Sequence, residues 1–97
     1  MSVYVITDLE IHDPELFAEY QATFPSIIER HGGRYLVRGG EVRVMSGDWD
    51  LHRIIIFEFP DREAVRATFN DPDYQPMIAI RERSAHSKAF MVDGVDQ

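Results

Sequence analysis

A chain of 97 residues that is 44% hydrophobic and 28% charged has the composition of a folded globular protein and the length for one core. Its net charge of −7, from 10 basic against 17 acidic residues, argues against a surface for nucleic acid or an anionic membrane, since phosphate is neutralised by a positive face. The absence of cysteine excludes disulfides, thiolate metal sites and cysteine nucleophiles, and no apolar run approaches the ~18 residues that span a bilayer.

The opening stretch MSVYVITDLE has no basic leader, so the expected compartment is the cytosol. Within it Val3–Leu9 is β-branched and aromatic, which predicts a first strand. Asp13-Pro14-Glu15 predicts a helix start, with Asp as N-cap, Pro at the first helical position and an acid in the positive first turn. Leu16, Tyr20, Phe24, Ile27 and His31 recur every three or four residues and so share one helical face. Pro25 removes a hydrogen bond inside this helix and predicts a kink. Gly32 predicts its end, in a left-handed cap.

Arg34–Arg38 (RYLVR) predicts a second strand, stopped by Gly39-Gly40. Residues 41–52 read as a long connection that turns at Gly47-Asp48, with strand pairing through Glu41–Met45 as an option. Arg53–Phe59 (RIIIFEF) is the clearest strand. Pro60-Asp61 closes it and caps a helix carrying Ala64, Val65, Thr68 and Phe69. Asp71-Pro72 breaks that helix, and a further helical segment carries Tyr74, Met77, Ile78 and Arg81. Ser87–Val92 predicts the last strand, with a frayed tail from Gly94. The order β-α-β-β-α-β is the ferredoxin-like split βαβ arrangement. It predicts a single α+β domain over residues 1–97, a four-stranded antiparallel sheet with its helices on one face.

That arrangement leaves the other face of the sheet open, and strand parity shows what the face is made of. In the third strand Ile54 and Ile56 oppose Ile55, Phe57 and Phe59; in the first, Tyr4 and Ile6 oppose Val3, Val5 and Leu9. In the fourth, Phe90 and Val92 oppose Ala89 and Met91. A sheet wetted on one side should alternate with polar residues, and these strands do not. Covering about six to eight large apolar side chains, at roughly 1.5–3 kcal/mol each, gains on the order of 10–20 kcal/mol. The cost of association is about 4–15 kcal/mol. The expected partner is a second copy of the chain, packed sheet against sheet.

The stretch HGGRYLVRGG poses a separate question. A phosphate-binding glycine loop lies between a strand and the helix that follows it. Here the order is helix, Gly32-Gly33, strand, Gly39-Gly40, loop, so the glycines read as cap and turn residues. The arginines between them admit two roles. Arg34 and Arg38 have the same strand parity and are predicted to leave one face, where they either hold an anionic ligand or form ion pairs with Asp8 or Glu58.

The same block carries a resemblance. HGGRYLVRGG, then Gly47-Asp48-Trp49, Arg53 and Glu58-Phe59-Pro60, together with Asp13-Pro14 and Tyr20 before it and Asp71-Pro72-Asp73-Tyr74 and Arg81 after it, resembles the domain-of-unknown-function family 1330. The likeness runs over nearly the whole chain. It implies a ferredoxin-like dimeric α+β barrel and supplies no reaction; Pro25 stands outside the family's pattern.

His12, His31, His52 and His86 have none of the short spacings of a metal site, so no metal and no cofactor is expected. His31 closes the first helix, where a cation is favoured and acid–base work is the alternative. Tyr20 is a core aromatic or a pocket wall; Trp49 either plugs the dimer interface or stacks on a ligand; Arg81 joins the other arginines if its helix crosses that end of the sheet. The leading expectation is a small cytosolic homodimer whose subunits each bind a small anionic organic molecule through Arg34 and Arg38, with Tyr20, His31, Trp49 and Arg81 around it. A cofactor-free monooxygenase or isomerase, with His31 as base and Arg38 as enolate stabiliser, is the alternative by fold analogy. A ligand-free structural or interaction module is the third.

Overall fold

The computed structural model describes residues 1–95; the last two residues of the tail expected from Gly94 lie outside the described residues. The elements are β1 (Val3–Ile11), α1 (Pro14–Arg30), β2 (Arg34–Arg38), β3 (Arg53–Phe59), α2 (Arg62–Phe69), α3 (Gln75–Ser84) and β4 (Ala85–Asp93). All strand pairs are antiparallel, in the order β2-β3-β1-β4, which is the ferredoxin-like topology. The first and last strands of the chain are longer than sequence suggested: β1 continues to Ile11 because β4 begins at Ala85, directly after α3, and pairs with it there. The pairing considered for Glu41–Met45 does not form. β2 is the edge of the sheet, and the connection finds no further strand to join.

Local chemistry sets the helix ends. Asp13 Oδ1 accepts from Leu16 N at 3.1 Å and Asp61 Oδ1 from Ala64 N at 2.8 Å, satisfying donors that the first turn leaves free. At the end of α1, Gly32 N donates to Glu29 O and Gly33 N to Ile28 O, a Schellman closure, with Gly32 at φ +82°. Pro25 lies within α1, and the helix is one continuous element across it.

The core is the layer between helices and sheet. Val3, Val5, Leu9, Ile55, Phe57 and Phe59 point inward from β1 and β3 and meet Phe17, Tyr20, Phe24, Ile27 and Ile28 of α1, closed by Val65, Tyr74 and Met77. The parity read from sequence holds in β1 and β3: Tyr4, Ile6, Ile54 and Ile56 take the other face. Two features hold the α1 end in place. Gly33 lies so close to the core that a Cβ there would be 2.5 Å from both Ile28 Cγ2 and Phe59 Cε1. Beside it Asp71, in the α2–α3 connection, receives His31 Nε2 at 2.7 Å and Arg30 Nη1 at 2.9 Å on Oδ2, and Asp73 N at 2.9 Å on Oδ1. The His31 hydrogen bond foremost, then the Asp73 amide and the Arg30 guanidinium, hold its carboxyl down to about 2.

No helix is long and apolar enough to cross a membrane among the described residues. Two predictions concern the α1 end. Gly33→Ala forces overpacking against Ile28 and Phe59 and should cost about 1–3 kcal/mol in urea denaturation; a variant as stable as the parent would show the approach to be slack. Asp71 has a depressed carboxyl pKa, so its contribution is complete above the ordinary carboxylate value and fades as pH drops toward 2. Asp71→Asn should therefore be less stable than the parent at pH ~6, with the gap closing below pH ~4, measured as denaturation midpoints across a pH series.

Candidate functional site

Between the sheet and α1 the core does not close completely. A cavity remains, about 70 Å³ in volume. Its walls are Val5, Ile55 and Phe57 from the sheet, Phe17, Tyr20 and Phe24 from α1, and Phe69 from α2. Polar side chains border it from all four strands, Thr7 of β1, Arg38 of β2, Arg53 of β3 and Ser87 of β4, and Gln21 and Arg81 from the helices. No acidic side chain lines it among the described residues. The chamber thus combines aromatic walls with three guanidinium groups and no carboxylate among the described residues.

The arginines are held in different ways. Arg38 lies over the Tyr35 ring, with Cζ 4.4 Å from its centroid, and forms no ion pair among the described residues. Arg53 comes off the start of β3 close against Gly39, where a Cβ would stand 2.6 Å from its Nε; Gly39 has φ +78° and leaves it that space. Arg81 donates from Nη1 to Tyr74 Oη at 2.8 Å. The Nε groups of Arg53 and Arg81 are the two buried side-chain nitrogens without a hydrogen-bond partner among the described residues. A buried donor left unmade costs about 1–3 kcal/mol, and a ligand acceptor removes that cost. Tyr20 Oη lies 3.0 Å from Tyr74 Oη, and burial, then the neighbouring phenol, pushes the Tyr20 hydroxyl well above the usual phenol range.

Of the residues singled out in the sequence, the structure brings Tyr20, Arg38 and Arg81 to one cavity. Arg34, His31 and Trp49 do not border it. The equal parity of Arg34 and Arg38 is broken by a register shift between Tyr35 and Val37: Arg34 pairs with Glu58 across the ladder, but Arg38 pairs with Ile55 on the helix side. One extra residue in β2 turns the strand over. Arg34 thus reaches the open face, where its Nε meets Glu58 Oε1 at 2.7 Å, one of the two ion pairs named as its alternative. That contact, joined by the Tyr4 hydroxyl at 3.0 Å, draws the Glu58 carboxyl below its ordinary value. Asp8, the other acid named, is held by His52 instead, with Nδ1 to Oδ2 at 3.0 Å.

His31 is engaged by Asp71 at the end of α1, so it and Arg38 do not meet in one site. Trp49 is 65% exposed in the connection before β3, its Nε1 donating to Ser46 O at 3.0 Å; it borders a broad hollow over the open sheet face with Ile6, Ile54, Leu51 and Phe90. Arg53 and Tyr74 were not singled out as site residues. Arg53 follows His52 at a strand start and Tyr74 sits among apolar helix positions, so each reads locally as scaffold. Only the packing of β3 against Gly39, and of α3 against α1, gives them their place.

Solved structures of similar fold were found at low sequence identity. RPA0582 from Rhodopseudomonas palustris, a protein of unknown function, superposes with a TM-score of 0.79 at 19% identity, covering 99% of this chain and 84% of that one. SnoaB, a cofactor-independent oxygenase from Streptomyces nogalater, gives 0.63 at 16% identity over 99% and 95% of the two chains. A dabb family protein with a ferredoxin-like fold from Mesorhizobium loti gives 0.62 at 14% identity over 98% of each. At these identities the likeness is one of fold. The comparison with curated proteins found no match. A family match that runs over residues 2–95, on a four-stranded sheet of ferredoxin-like topology, places the chain in the family described as a domain of unknown function (DUF1330).

Proposed function

We propose that the protein is a homodimer, joined sheet against sheet, whose subunits each bind a small organic anion in the cavity between α1 and the sheet. The observation that carries the ligand half is the pair of buried, unpartnered Arg53 and Arg81 Nε donors at a cavity without an acid. The carboxylate would sit against Arg38 and Arg53, with the carbon body along Phe17, Phe24, Phe57 and Phe69. An inert structural module would have both β2 arginines neutralised on the sheet; only Arg34 is. The catalytic reading with His31 as base has no such support, because Asp71 occupies that imidazole.

The open face supports the dimer. Ile6, Ile54 and Ile56 lie in its middle, Phe90 and Val92 are 60% and 46% exposed, and the hollow above them is edged by Trp49 and Leu51. The molecule is a slab of 38 × 36 × 16 Å, so its broad face exceeds the ~800 Å² per partner of a standard interface. The Arg34–Glu58 and Asp8–His52 pairs lie on the same face, where paired charges can be covered at smaller cost than single ones.

Two measurements test these halves separately. In thermal-shift titrations, small carboxylates should raise the melting temperature of the parent, on the scale of ~2.7 kcal/mol at one hundred times the dissociation constant. The effect should vanish in Arg53→Met and Arg38→Met and persist in Arg34→Met. Equal loss in all three, or none in any, would remove the cavity as the site. Light scattering should return about twice the 11.2 kDa chain mass, falling to the single mass in an Ile56→Glu, Phe90→Glu double variant. A parent that stays at the single mass at tens of micromolar would overturn the dimer.

A further inference from the structure

Resting on the anion-binding reading above, we infer that the occupant of the cavity also carries a neutral acceptor oxygen, a carbonyl, which takes the phenol proton of Tyr20; the ligand class is an oxo-carboxylate. The argument is a count of protons along one chain of side chains. Arg81 has donors and no acceptor, so in its 2.8 Å contact the Tyr74 oxygen accepts. The Tyr74 hydroxyl must then place its own proton. Tyr74 is 1% exposed, and the one further polar atom within hydrogen-bond distance of its oxygen among the described residues is Tyr20 Oη, at 3.0 Å. Were Tyr20 the donor instead, the Tyr74 proton would be stranded in the core without a partner, the costlier arrangement.

The chain therefore runs Arg81 to Tyr74 to Tyr20, each group donating to the next, and the Tyr20 proton is left over. Tyr20 borders the cavity and Tyr74 does not, so the leftover proton faces the space where a ligand would lie. A phenol that accepts a hydrogen bond from a second phenol, itself polarised by a guanidinium, is a strengthened donor. What it meets should be uncharged. The Phe17 and Phe24 rings, 5.3 and 5.0 Å from that of Tyr20 between centroids, flank it, and the guanidinium on its side of the cavity, Arg81, already gives a hydrogen bond to Tyr74. The ligand's single negative charge belongs with Arg38 and Arg53, two guanidinium groups that form no ion pair among the described residues. A carboxylate there and a ketone oxygen at Tyr20 give each an acceptor, and the second lone pair of the ketone oxygen is open to the unpartnered Arg81 Nε.

Titration calorimetry with shape-matched pairs tests this: 4-acetylbenzoate against 4-isopropenylbenzoate, and 4-oxopentanoate against 4-methylpent-4-enoate. In each pair a methylene replaces the ketone oxygen and the carboxylate is kept. The oxo member of at least one pair should bind the parent protein roughly three- to tenfold more tightly, the scale of one net hydrogen bond. In Tyr20→Phe the ratio should fall to about one while the methylene analogue keeps its affinity within about twofold. The carbonyl stretching band of bound, ¹³C-labelled oxo acid should lie lower in the parent than in Tyr20→Phe, a readout that a merely structural phenol would not move. Equal affinity within both pairs in the parent overturns the inference and leaves the anion site standing, and that comparison needs no variant to fold. If no carboxylate binds at all, the anion site falls and this inference with it.

Discussion

The packing of one aromatic helix face against alternate residues of two strands is the constraint from which the rest of this structure follows. Phe17, Tyr20 and Phe24 recur along α1 at helical spacing, and Val5, Ile55 and Phe57 recur along β1 and β3 at strand spacing. When the two periodicities meet, each large ring fixes the position of the next: Phe24 stands edge-on to Phe57 at 5.6 Å and tilted against Tyr74 at 5.1 Å. Edge-on and tilted rings are favoured pairs, and beside them the core does not close completely. The gap is the cavity, and its walls are the core itself.

Charge in the molecule is distributed according to which side of that layer a residue reaches. On the open face Arg34 meets Glu58 and His52 meets Asp8, and at the end of α1 His31 and Arg30 meet Asp71. The cations near these acids are neutralised within the chain. Arg38 and Arg53 on the helix side have only an aromatic ring and glycine space beside them. The protein is acidic overall, yet the cavity between α1 and the sheet is bordered by cations. A single inserted residue in β2 produces that difference, by sending Arg38 inward and Arg34 outward. Without the bulge both would leave by the same face and the cavity would lose a guanidinium.

The glycines support the same geometry without bordering the cavity. Gly32 turns the chain out of α1 through a left-handed conformation, Gly33 lets β2 begin flush against Phe59, and Gly39 makes room for the Arg53 guanidinium. A motif that looks at first like a phosphate loop is thus structural: its glycines shape both ends of β2, and Gly39 makes room for Arg53 of the next strand.

The fold was legible from sequence because its determinants are local or periodic. Capping residues at Asp13 and Asp61, glycines after α1, and two-residue alternation in RIIIFEF state their own structure, since backbone sterics and burial act within a few residues. The open apolar face was legible for the same reason. The site was legible only in part. Tyr20, Arg38 and Arg81 could be named because a cation or phenol among apolar neighbours is conspicuous; Arg53 and Tyr74 could not, and Arg34, His31 and Trp49 were grouped with them only by nearness along the chain or likeness of type. Which arginine turns inward depends on one residue of register, and the pairing of the Tyr20 and Tyr74 hydroxyls joins α1 to the N-cap of α3, 54 residues apart. Periodicity predicts faces. Register, and the pairing of donors across distant elements, are decided only when the whole chain has packed, because they minimise the energy of contacts that no local segment contains.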